Sequence, residues 1–67
     1  MNVHLNTREA DEIYHALSDV VTHLVNAESM WRKMHRDTGS ARSARKLNEV
    51  REHLTMVRNL RDKIGEL

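Results

Sequence analysis

Residues 10–34 read ADEIYHALSDVVTHLVNAESMWRKM, and within them Ala10, Ile13, Leu17, Val20, Leu24, Ala27, Trp31 and Met34 recur at unbroken steps of three and four. In a helix that spacing lines one side with apolar groups from end to end. The stretch therefore predicts one long helix, pressed along one stripe against another helix.

Working outward, both ends of this helix are marked. Upstream, Leu5-Asn6-Thr7-Arg8-Glu9 allows Asn6 to cap the helix while Glu9 reaches back to it, with Thr7 as the competing cap. Glu9, Asp11 and Glu12 suit the positive end of the helix dipole. Downstream, Asp37-Thr38-Gly39-Ser40 breaks the pattern: Gly39 can take a left-handed closing conformation and Ser40 can cap a second helix. A first helix is expected over about residues 7–37, after a loosely held lead-in over 1–6.

A second apolar series, Leu47, Val50, Leu54, Val57 and Ile64, with Leu60 one step off the line, predicts that second helix over about residues 41–64. Arg61 falls where the series wants an apolar group, and its stem can lie on the core while its head stays in water. A turn over residues 37–40 between two long helices makes them antiparallel. The expected fold class is all-α, an antiparallel two-helix hairpin forming one domain over residues 1–67. Folding back on Gly39 also brings Arg58, Arg61 and Lys63 towards the acidic start of the first helix.

Composition agrees. There is no proline and no cysteine, and 31% of the 67 residues are charged. The lack of cysteine excludes disulfide staples and thiol catalysis. No apolar run approaches the roughly 20 residues of a spanning helix, so no membrane role is expected. The opening Met1-Asn2-Val3-His4-Leu5 lacks the basic and apolar regions of a signal peptide, and a cytoplasmic location is expected. A chain this short has a thin core and usually needs help, by oligomerisation where disulfides and metals are absent.

The first helix carries apolar residues beyond its stripe: Tyr14, Val21 and Val25 to one side, Met30 to the other. This excess predicts a second copy, paired through Tyr14, Leu17, Val21, Leu24 and Val25 into a homodimeric four-helix bundle. The competing reading is a monomer whose valines are covered by Val3 and Leu5. Met30, Trp31 and Met34, near the turn, form a candidate contact for a foreign protein, since tryptophan beside arginine anchors many interfaces. Arg32, Lys33, Arg36, Arg42, Arg45 and Lys46 make the turn end basic and a candidate for nucleic acid. The last three oppose the dipole of the second helix, which capping does not explain.

Catalytic and cofactor signals are weak. His15, Asp19 and His23, with Glu12 nearby, have metal-ligand spacing but project away from the stripe, so no metal site is expected. Asp37-Thr38-Gly39 spells the aspartic-protease tripeptide once, where paired carboxylates would need it twice. His35 beside Ser40 or Ser43 lacks a third group to orient it. The hairpin shape resembles that of WXG-type secreted proteins, but Trp31 is followed by Arg32 and Lys33 and no Trp-x-Gly turn exists. The expectation is a non-enzymatic, homodimeric interaction module without cofactor, acting by protein–protein binding as a regulator or inhibitor, in the manner of phage or mobile-element accessory proteins. The alternative is an RNA- or DNA-binding hairpin dimer that uses the basic tip.

Overall fold

A computed structural model describes residues 4–67. It is an antiparallel hairpin of two helices, α1 (Thr7–Thr38) and α2 (Ala41–Gly65). The cap of α1 is Asn6 rather than Thr7. Asn6 Oδ1 accepts the Glu9 N–H at 2.8 Å, and the Asn6 N–H donates to Glu9 Oε1 at 3.2 Å. The reciprocal bonds satisfy two donors that a helix start leaves open. Leu5 is half-buried. The expected packing of Val3 lies outside the described residues.

The turn is as short as a hairpin of helices allows. Gly39 sits at φ 61°, and its N–H donates to His35 O at 2.7 Å. Thr38 Oγ1 donates back to Met34 O at 2.8 Å. Ser40 then caps α2, its Oγ accepting the Ser43 N–H at 3.1 Å. The Asp37-Thr38-Gly39 tripeptide is thus a helix stop.

The helices meet along Ala10, Tyr14, Leu17, Val21, Leu24, Glu28, Trp31 and His35 of α1, against Ser43, Leu47, Val50, Leu54, Val57, Arg61 and Ile64 of α2. Val21, Leu24, Leu54 and Val57 form the buried centre, with Leu17 and Val50 packed on it. This corrects the seam read from the sequence in one respect. Val21, read as surplus, is 8% exposed, whereas Val20, read as seam, is 39% exposed. The series Ala10, Leu17, Leu24, Trp31 has a flank on each side, 13/20/27/34 and 14/21/28/35, and both keep the three–four period. The hairpin closes on the second.

Each end of the seam is polar. Near the turn, Ser43 is fully buried, with its hydroxyl 3.1 Å from His35 Nδ1 and 2.9 Å from Ser40 Oγ. At the far end, the Arg61 guanidinium lies 5.9 Å from the centre of the Tyr14 ring. Its Nε is buried and has no hydrogen-bond partner; the Asp62 carboxylate is 4.0 Å away, an ion pair too long to be a hydrogen bond. The sequence reading placed the Arg61 head in water, but part of it is enclosed. The ion pairs among the described residues all lie within one helix. The antiparallel sense follows from the short turn and the seam, and no close ion pair among the described residues joins the two helices.

Candidate interaction surface

The hairpin is a slab one helix thick, 47 × 21 × 13 Å between Cα extremes. It has two broad faces, and they differ in chemistry. On one, the flank Ile13, Val20, Ala27 and Met34 of α1, together with Met30, lies on the same side as Leu60 and Met56 of α2, which are bordered by Glu49, Glu52, His53 and Lys63. A shallow depression lined by Trp31 and Met34 of α1 and by Arg42 and Ser43 of α2 shows which sides of the two helices adjoin. Val20, Met30, Met34, Met56 and Leu60 are all exposed there, at 39 to 61% of their surface. The opposite face carries Asp11, Ser18, Arg32 and Arg58, with Val25 and Tyr14 as its exposed large hydrophobic side chains among the described residues.

These positions rearrange the expected self-association set. Val21 and Leu24 are buried inside the hairpin, and Leu17 is packed against them. Tyr14 lies over the end of α2, its ring carbon 3.3 Å from where a Cβ on Gly65 would stand. Val25 is exposed, but on the polar face. Exposed apolar side chains thus stand on both flanks of α1, Tyr14 and Val25 on the one read from the sequence and Val20, Met30 and Met34 on the other. Met56 and Leu60 extend the latter group onto α2. Two signals could have revealed it: the seven-residue recurrence of Ile13, Val20, Ala27 and Met34, and Met56–Leu60 at a four-residue step.

Of the candidate partner contact, Met30 and Met34 are exposed and Trp31 is half-buried. Trp31 and Met34 share their depression with Arg42. The candidate nucleic-acid residues divide between two surfaces. Arg32, Lys33 and Arg36 border a groove on the outer side of α1 with Asn26, Ser29 and Met30. Arg42, Arg45 and Lys46 belong to α2, where the first turn holds no acidic residue. Arg32 pairs with Glu28 at 3.7 Å and Lys46 with Glu49 at 3.4 Å.

No family model, curated protein or solved structure matches this chain. The surfaces themselves carry the functional reading. His15, Asp19 and His23 are exposed along α1, and among the described residues no group of three or more histidine, aspartate or glutamate side chains is placed to hold a metal. His35, Ser40 and Ser43 do come together, but as a hydrogen-bonded cap with Ser43 buried. Neither helix is long and apolar enough to cross a membrane.

Proposed function

We propose that this chain is a small helical interaction module, without enzymatic activity of its own, that works as a homodimer and binds a further protein as a regulator or inhibitor. What supports the reading is the exposed apolar face. Among the described residues, five of the eight large exposed hydrophobic side chains, Val20, Met30, Met34, Met56 and Leu60, fall on one face of the slab. Scattered apolar groups on a surface are ordinary, but several gathered on one face favour an interaction site. Methionine suits such a band because its flexible thioether adapts to more than one partner shape. A role in the cytoplasm, of the accessory kind carried by phage or mobile elements, fits this reading. Co-expression of a tagged and an untagged copy tests it: the tagged chain should retain the untagged one through purification. Loss of the untagged copy at micromolar concentration removes the homodimer from the account.

A second reading, nucleic-acid binding at the tip, is favoured by one observation. Arg42 and Arg45 stand in and just after the first turn of α2, where no carboxylate offsets them and where the helix dipole disfavours cations. An anionic phosphate would relieve that mismatch. Binding of this kind should weaken steeply as salt rises, and it should disappear when Arg42, Arg45 and Lys46 become glutamate. Binding indifferent to salt, or no binding to RNA or DNA, removes this reading.

A further inference from the structure

We propose that a second copy of the chain docks on the apolar broad face, head to tail, so that the turn of each hairpin lies over the terminal end of the other. The inference rests on the homodimer reading and adds the face and the orientation.

Area is the first support. A compact monomer of this mass should expose about 4,400 Å², but the hairpin exposes 5423 Å². A chain with so much surface for its mass has room to cover the roughly 800 Å² that each partner of a stable dimer covers. A slab only 13 Å thick between Cα extremes also lacks the second layer of helices that domains normally have.

The choice of seam is the second support. Closing the hairpin on Ile13, Val20, Ala27 and Met34 would bury four apolar side chains from that flank. Instead the other flank is turned inward, with Val21 buried and the polar Glu28 and His35 half-buried, while Tyr14 at its end stays 38% exposed. His35 finds Ser43 and Glu28 finds Arg32, so the polar pair is accommodated. Val20 and Met34 of the more apolar flank stay exposed, with Ile13 and Ala27 half-buried between them and the seam, and Met56 and Leu60 exposed on α2. A helix with two apolar flanks is suited to two neighbours, as in a bundle of four.

Charge sets the orientation. The turn half of the hairpin, residues 28–46, carries six cations against Glu28 and Asp37. The other half carries five cations against eight carboxylates. Two copies laid with their turns together would gather twelve cations at one end. Laid head to tail, each basic end faces an acidic one. Single exposed pairs contribute little, but the summed difference selects between two packings that bury the same apolar face.

Val20 lies near mid-length of α1, close to where the two-fold axis of such a dimer crosses the face. Val20→Asp would bring two carboxylates together there, and the dissociation constant should rise at least a hundredfold by sedimentation. Val25→Asp, on the polar face, should change it less than threefold. Val20→Thr keeps the side-chain shape and should weaken the dimer about tenfold, which covers the case in which the aspartate variant does not fold. Because the chain has no cysteine, Ala41→Cys supplies a unique spin-label site at the turn. Labels in the dimer should lie about as far apart as the 47 Å length of the hairpin. A dimer indifferent to Val20→Asp and Val20→Thr, or equally sensitive to Val25→Asp, overturns the face. Labels separated by about the 21 Å width or less overturn the orientation. Both results leave the homodimer reading standing, whereas a wild-type monomer at 100 µM removes that reading and the inference together.

Discussion

Val20 and Val21 are neighbours in the chain and lie in different environments: Val21 is 8% exposed between the helices, and Val20 is 39% exposed on the free apolar face. One step along a helix turns the side chain by about 100°, enough to move it from the hairpin core to the exposed apolar face.

The two valines should therefore respond differently to truncation. Val21→Ala removes buried methyl groups and should cost about 2 kcal/mol of hairpin stability. Val20→Ala should leave the isolated hairpin almost unchanged and lower the melting temperature only through the proposed dimer. Its effect should then depend on protein concentration, as mass action requires. Thermal melts at two concentrations a hundredfold apart separate the cases. Equal, concentration-independent losses for both valines would contradict the assignment.

Gly39 closes α1 at φ 61° with nothing within 4 Å of where a Cβ would stand. Space is not the constraint there; backbone conformation is. Gly39→Ala should cost about 1–2 kcal/mol, and Gly39→Asn less, because asparagine tolerates the left-handed region better. Chemical denaturation of the two variants checks the order, and an alanine variant as stable as the parent would refute it.

Arg61 holds a buried Nε without a hydrogen-bond partner beside the Tyr14 ring. Leaving such a donor unsatisfied costs about 1–3 kcal/mol, and the cation–π contact returns about 0.5–1 kcal/mol. Arg61→Met should therefore stabilise the hairpin by roughly 1 kcal/mol. A fall in melting temperature would show that the guanidinium contributes more than its contacts indicate.

Ser43 is the fully buried side chain at the turn, bonded through its hydroxyl to Ser40 and within 3.1 Å of His35 Nδ1. Ser43→Ala strips His35 of that partner and should cost about 1–2 kcal/mol. The His35 ring signals in an NMR spectrum should move as well, and unchanged histidine shifts would argue against the bond.

Much of this fold is legible in the sequence because its signals are local. Asn6 with Glu9, Gly39 and Ser40 act on residues within four positions of themselves. The two helices and their turn could be placed from these and from the apolar period alone. The exposed apolar face was harder to read. Ala10, Leu17, Leu24 and Trp31 have a flank on each side that fits the same period, so spacing does not tell which flank α2 covers. Polar partners from across the seam influence that choice, and the His35–Ser43 contact joins residues eight apart through the turn. Met56 stands outside the seam series of α2, and its place on the same face as Val20 depends on how the helices adjoin.

Sedimentation equilibrium of the wild-type chain from 1 to 100 µM, with helicity monitored by circular dichroism, tests the proposed covering of the apolar face most directly. A helical species of twice the 7.9 kDa chain mass, dissociating on dilution, is the expected result. A fully helical chain that remains at 7.9 kDa throughout would mean that the band from Val20 to Leu60 stays open to water, and the account would fail.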